Sequence, residues 1–537
     1  MSSKTRVLII NNVKLPLNAS KNEAFSVAKK RLVSIGVDPN SLSLSIAKRS
    51  VDARNKDNII LVYSIKAEGD LERIRTEKLA SISAVISEDE DIFDFDIGCE
   101  PLNAPPLVVG SGPCGMFAAL LLAERGYKPT LIERGGSVEE RKAAVDTFNK
   151  FGILNTDTNI QFGAGGAGTF SDGKLITRIN DSATAYVLER FVEFGAPTEI
   201  LTEARPHIGT DVLSVVVERI LNRIEELGGK VLYNTKLLSI GNAGGVCYAK
   251  TTCADISYGA MILAIGHSAR DTYEYLLNSG YAIEAKPMSV GMRIEHKATA
   301  IDSALYGKFA GHASLGHAEY NLSHNTKERG VYTFCMCPGG QVVAAASEEG
   351  GLVVNGMSHN ARDGANSNSA VVCSIFKEDY GATPIKAIEF QRQIERAAFA
   401  CTNGDYTAPI ITVGDFLTGK CQNEPYDVFP TYRDGKNVKL ASPNKYLPEV
   451  VCKSIAGALV AFDKKIHGFA SSGAVLTGAE TRTSSPVRIL RDPKTRLAVG
   501  KDNIYPAGEG AGYAGGITSA AIDGLRTAIA VIKRFKP

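Results

Sequence analysis

The sequence predicts an α/β protein: a Rossmann-like domain of parallel strands, interrupted by an inserted α+β domain and preceded by a small α+β module. Three observations carry this. From Pro106 a short apolar strand, a glycine turn, an apolar helix and a second apolar strand follow one another as a buried βαβ unit. Segments of the same style, "GKVLYNTKLLSI" and "GAMILAIG", return later, and another after residue 500 ends in a long helix. Between them, residues of roughly 286–470 are richer in polar turns such as "RDGANSNSA" and "TYRDGKN".

At 537 residues the chain is too long for one hydrophobic core, because cores stop growing near roughly 250–300 residues. The expected units are an N-terminal module over 1–100, the first part of the Rossmann-like domain over 105–285, the insertion over 286–470 and a C-terminal part over 471–537. In the module "RVLIINNV" reads as a strand, "KNEAFSVAKKRLVSIG" as an amphipathic helix ended by Gly36, and "NIILVYSIKA" as a second strand. The acidic run "EDEDIFDFD" and then "PLNAPP" read as a linker. Lys48, Arg49, Asp52, Arg54 and Lys56 form either a solvated turn with paired charges or a docking surface for RNA or a protein partner. The formal net charge of +2 gives no overall field toward nucleic acid or anionic membrane. No run approaches the ~18 apolar residues of a membrane helix, and the first residues lack the pattern of a secretory signal. Ten scattered cysteines without a C-x-x-C pair suit a reducing cytoplasm and offer no metal-binding spacing.

The strongest motif is "PLVVGSGPCGMFAALLLAERGYKPTLIER". Gly110, Gly112 and Gly115 form G-x-G-x-x-G between a strand and a helix, with Ser111, Pro113 and Cys114 filling the turn. The first glycine permits the tight turn, the second lets backbone amides approach a pyrophosphate, and the third lets helix and strand pack closely. Glu133 follows 23 residues after Gly110, at the end of the second strand. An acid there accepts both ribose hydroxyls and repels a 2′-phosphate, which points to FAD and away from NADP. The glycines of "NIQFGAGGAGTFSDGKL" are too dense for a strand and suit a loop laid against a ligand.

On these motifs the sequence resembles the FAD-dependent dehydrogenases of the glutathione-reductase-type flavoprotein superfamily, in the long form with an extra N-terminal module. The resemblance covers nearly the whole chain and implies non-covalent FAD. It implies that Arg141 returns toward the pyrophosphate with Arg134 nearby, and that Gly165, Gly166, Ala167, Gly168 and Thr169 lie beside the flavin. Ala264 to Gly266 would cover the adenine half, followed by His267, and Leu237 joins the cofactor-binding set. Gly508-Glu509 stands where the family has Gly-Asp meeting the ribityl chain, and Gly515, Gly516 and Ile517 start the helix facing the flavin. The family's activity implies an oxidoreductase that passes hydride between FAD and a small organic molecule.

Four residues are catalytic or substrate candidates. Arg293 lies in "SVGMRIEH", near His296, at the start of the insertion. Arg482, in a Ser/Thr-rich turn, either clamps a carboxylate bidentately or caps carbonyls. Cys335 and Cys337 on one strand would share a face, and their bridge would close a strained ring; they read as pocket-lining or packed thiols. With no second strand–G-x-G-x-x-G–helix unit, NAD(P)H would visit the flavin transiently as reductant, or a partner would supply electrons. An RNA-linked flavoprotein and a non-catalytic flavin-binding scaffold are the competing functions.

Overall fold

The computed structural model describes residues 5–537 except 72–73, 75, 90, 178–180 and 327–328. Glu90 of the acidic run therefore lies outside the described residues. Five parallel strands form the central sheet, in the order Ile504–Pro506, Met261–Leu263, Leu107–Val109, Thr130–Ile132 and Lys230–Leu232. Leu107–Val109 is buried at all three positions, as a strand covered by helices on both faces must be. The chain runs outward from it in both directions, which puts a crevice at the carboxyl ends of Leu107–Val109 and Met261–Leu263.

The helix Pro113–Glu124 is apolar all round, and every residue from Cys114 to Ala123 is buried; such a helix has to be enclosed. The helix Ile517–Ile532 crosses it. A Cβ at Gly524 would stand 2.0 Å from the Cys114 carbonyl oxygen, so the crossing requires glycine.

The insertion is built on a seven-stranded sheet, in the order Ser323–Asn325, Gly330–Cys337, Asn366–Ile375, Met288–Lys297, Val475–Glu480, Ala408–Thr412 and Val438–Leu440. Val475–Glu480 is an internal strand of this sheet, paired with Met288–Lys297 and Ala408–Thr412. The boundary expected at residue 470 is therefore too early, because the strand that completes the sheet comes after it. The chain enters and leaves through an antiparallel ribbon, Ile283–Ala285 with Val487–Ile489.

The N-terminal module is an antiparallel sheet ordered Leu42–Asp52, Ile60–Gly69, Thr5–Pro16, Ala84–Asp89, with the helix Lys21–Ser34 packed on it. The strand Leu42–Asp52 escaped the sequence reading because a bulge between Ile46 and Lys48 breaks its alternation. This corrects the solvated turn read at 48–57 only as far as Asp52, since 53–57 is a turn at the surface in which Arg54 pairs with Asp52 at 2.6 Å. Arg49 bonds Glu203 at 2.8 Å and the Ser314 carbonyl at 2.6 Å, and its backbone pairs with Thr202 and Ala204. Among the described residues no helix is long and apolar enough to cross a membrane.

Candidate active site

A cavity of about 1470 Å³ opens at that crevice and extends to the inserted sheet. Small-molecule sites usually run to roughly 300–1,000 Å³, so this one has room for a dinucleotide and a second molecule. Val109, Gly110, Gly112, Pro113 and Cys114 line it from one side and Ala264, Ile265 and Gly266 from the other. A Cβ on Gly110 would stand 2.3 Å from the Ala264 carbonyl, and one on Gly115 only 1.8 Å from the Gly110 carbonyl. These two glycines serve packing. Gly112 differs: its Cβ would meet nothing closer than Gly166 Cα at 3.9 Å, so a side chain there would enter the cavity. Gly112 caps the helix Pro113–Glu124 with proline at the first position. The first-turn amides have no intrahelical acceptor and carry the positive end of the helix dipole, an arrangement that suits a pyrophosphate.

Gly166, Ala167 and Gly168 line the same space, as do Gly515, Gly516 and Ile517 at the start of the Ile517–Ile532 helix. Leu237, Arg134 and Glu133 line the opposite flank. Ser111, Gly115, Gly165, Thr169 and Gly508 lie behind this lining and are not part of it. A Cβ on Gly165 would stand 2.2 Å from Thr169 Oγ1, and one on Gly508 2.8 Å from Cys114 Cβ, which gives both a packing role.

Glu133 has a second task that the sequence did not show. Its Oε2 accepts from Ser111 N (2.9 Å) and Ser111 Oγ (2.8 Å), and its Oε1 from the amides of Gly135 and Gly163, each at 3.0 Å. A carboxylate offers about four lone-pair sites, so Glu133 ties the glycine turn to the 163–168 loop before any ribose arrives. Glu133→Ala should therefore lower both FAD occupancy and stability. Each orphaned buried amide costs about 1–3 kcal/mol, and thermal unfolding of the FAD-stripped variant measures that part separately.

Arg141 does not line the cavity in which the pyrophosphate is expected. It is 1% exposed and donates to the carbonyls of Asn159, Ile160 and Ala164 at 2.7–2.9 Å, with Gly163 at 3.4 Å. Its helix aims it into the loop's backbone, so it holds the 159–164 turn. Arg134 pairs with Asp271 at 2.8 Å and lies 4.3 Å over the Phe162 ring.

At the inserted-domain end, Arg293 is wholly buried and all five of its N–H groups are taken. Glu480 accepts at 3.0 and 3.1 Å, Asn368 at 2.7 Å, the Cys335 carbonyl at 3.1 Å and Asn355 at 3.2 Å. It cannot also hold a substrate. Arg482 does line the cavity, but Glu395 occupies its fork at 3.1 and 3.2 Å and Ser347 accepts another bond. Of the two readings for Arg482, the bidentate clamp is already closed on the protein's own carboxylate.

The cysteine pair is a pocket-lining and a packed thiol, as read, but the two do not share a face. A register shift between Phe334 and Cys337 puts Cys335 in the left-handed region, with φ 45°. The bulge re-aims the side chain: Cys335 lines the cavity, while Cys337 is fully buried behind it. Both are free thiols. The Cys337 thiol donates to Cys335 and lowers its thiol against the opposing effect of burial, with Arg293 and Lys174 adding positive charge.

Beside it, burial pushes the Glu509 carboxyl up to about 7 against the opposing pull of Lys286, with Cys335 adding to the rise. His267 Nδ1 lies 3.9 Å from Glu509. Burial, then Arg482 and Arg270, bring His267 down to about 3. Its buried Nε2 has no partner among the described residues, as befits a polar atom that a bound group would satisfy. Sequence reasoning missed Lys174, Lys286, Glu319, Tyr320 and Tyr332, which line the same cavity. Only Lys174 lay within a segment already singled out.

A glycine cradle at a sheet switch point, facing an inserted domain across one cavity, defines a flavoprotein. Comparison with known proteins agrees. Residues 103–154 match an FAD binding domain, 287–483 match the C-terminal-domain-like region of FAD-dependent proteins, and 8–68 match a domain of unknown function. An uncharacterized protein of Clostridium beijerinckii is 43% identical over 531 residues, 98% of each chain. The chain belongs to this family of FAD-dependent proteins, and FAD is its cofactor. Similarity to solved structures is distant. L-proline dehydrogenase from P. horikoshii is 14% identical over 81% of this chain and 94% of that one, with a TM-score of 0.34. CtdE in complex with FAD is 12% identical over 80% and 84%, with a TM-score of 0.32. Superpositions this loose support no residue-level comparison.

Proposed function

We propose that the protein is an FAD-dependent oxidoreductase with a glutathione-reductase-type FAD fold, passing hydride between non-covalent FAD and a small organic molecule. The observation that carries this reading is one large cavity whose two ends belong to different domains. The glycine cradle would hold the pyrophosphate, Glu133 and Leu237 flank the ribose and adenine side, and Gly515 to Ile517 start the helix facing the flavin. FAD, when bound, supplies the two-electron acceptor or donor. The protein's own part is to enclose the second molecule and handle its proton. Burial raises the Glu509 carboxyl toward neutrality and the Cys337 thiol lowers that of Cys335, the directions that suit a proton carrier. NAD(P)H would serve as a transient visitor to the same cavity. Ten free cysteines fit a reducing compartment, and we place the protein in the cytoplasm.

Anaerobic mixing of the yellow protein with a metabolite library, followed by flavin absorbance, tests this. At least one small organic molecule or a nicotinamide should bleach the flavin in one step. Cys335→Ser should stay reducible by dithionite, because Cys337 is buried behind the bulge and is poorly placed to exchange electrons. Bleaching by dithionite alone would favour the scaffold. A long-wavelength band on reduction that Cys335→Ser removes would move the protein to the disulfide reductases.

A further inference from the structure

We propose that Lys286 holds the carboxylate of the substrate, so that the molecule turned over in this cavity is an organic acid. The inference deepens the oxidoreductase reading and rests on it. Its ground is one cation of the cavity wall that no carboxylate contacts among the described residues.

The arginines at the cavity are committed. Arg134 is paired with Asp271, Arg482 with Glu395, and Arg205, at the exposed rim, lies 3.6 Å from Glu319. Lys174 is shared between Asp172 at 3.9 Å, Glu319 at 3.6 Å and the Met336 carbonyl. Lys286 differs from all of these. Half-buried and cavity-lining, its Nζ has one acceptor among the described residues, the Gly512 carbonyl at 3.4 Å, and no carboxylate within 4.0 Å. That contact is longer than an ordinary N–H···O bond.

The same carbonyl is also approached at 3.4 Å by Arg488, whose one contacting carboxylate among the described residues is Glu284, at 3.4 Å. Two cations therefore converge on one carbonyl oxygen, and among the described residues Glu284 is in contact with Arg488 but no carboxylate is in contact with Lys286. A half-buried ammonium whose hydrogen bond is long and which touches no carboxylate is under-compensated, and an anion in the cavity would make up the difference.

Position reinforces the point. Lys286 follows the Ile283–Ala285 strand of the ribbon joining the two domains, and its amide is pinned to the Pro486 carbonyl at 2.8 Å. It thus stands over the Gly512–Ile517 segment, where both domains meet the cavity. Glu509 shares this wall, and burial keeps its carboxyl protonated to higher pH than usual. It therefore neutralises Lys286 only in part, and in its acid form it can donate to a bound carboxylate.

The test uses the FAD-loaded protein with benzoate, its neutral analogue benzamide and its cationic analogue benzylamine, read by perturbation of the flavin spectrum. Benzoate should perturb the spectrum saturably and the other two weakly. Lys286→Met should weaken benzoate by roughly 10- to 150-fold, the worth of one charge-assisted bond, whereas Lys286→Arg should retain most of the affinity. Lys286→Gln serves if the methionine variant loses flavin. Equal responses to benzoate and benzamide, no response to benzoate, or unchanged affinity in both charge-removing variants would overturn the proposal. Lys286-dependent benzoate binding without reduction by any organic acid would leave the carboxylate site standing and sink the redox reading. Reduction by neutral molecules, indifferent to Lys286→Met, would do the reverse.

Discussion

Glu395→Ala should be among the most destabilising single changes in this protein, at about 3–5 kcal/mol. The carboxylate is 1% exposed and bonds Arg270 at 2.7 Å through both oxygens, Thr481 at 2.6 Å and the fork of Arg482. Removing it leaves two buried guanidinium groups facing one another, with Glu348 alone to compensate Arg270. Burial by itself would raise the pKa of Glu395, but the two arginines overrule it and hold the carboxyl well below the usual range. Because the folded value is depressed, the stabilisation is fully present above the ordinary glutamate pKa of about 4.3. It is lost as pH falls from there toward the folded value. Urea unfolding of wild type and variant should therefore differ by a constant amount near neutrality, and the gap should narrow only in acid. A midpoint unchanged at pH 7 would show that the cluster does not hold the domains together.

Gly112→Val should have an opposite profile: normal folding and almost no FAD. The position opens into the cavity, so the new side chain meets no wall and instead fills the approach to the helix amides. Losing two such charge-assisted contacts weakens binding by roughly 100-fold or more. The protein should purify colourless, with wild-type circular dichroism. Gly115→Val is the contrast, since its Cβ would strike the Gly110 carbonyl and the strand–helix unit itself should fail. Full flavin content in the Gly112 variant would mean that the pyrophosphate lies elsewhere.

The contrast between these glycines marks what a sequence can and cannot tell. Strand, glycine turn, helix and acid lie within 30 residues of one another, so their periodicity and spacing were legible directly. The arginines were not. Arg293, Arg482 and Arg141 all carried the residue type of an anion clamp, yet each is spent on partners such as Glu480, Glu395 and the carbonyls of 159–164. Glu480 and Glu395 lie 187 and 87 residues from Arg293 and Arg482, a distance over which local pattern says nothing. The bulge at Cys335 was hidden for a different reason, since one inserted residue reverses which face a side chain takes without altering composition. Lys286 had no signal at all, because its significance lies in what is absent around it.

The strand order of the central sheet also bears on how the protein is made. The edge strand Ile504–Pro506 and the helix covering Pro113–Glu124 are translated about 240 residues after Met261–Leu263. At ribosomal speeds of roughly 5–20 residues per second this is a wait of about 12–50 s. Throughout it the apolar helix of the cofactor cradle lacks its lid, while the insertion is still emerging. FAD can be captured only when synthesis is nearly over, and until then the apolar surface of that helix has no partner from the C-terminal segment.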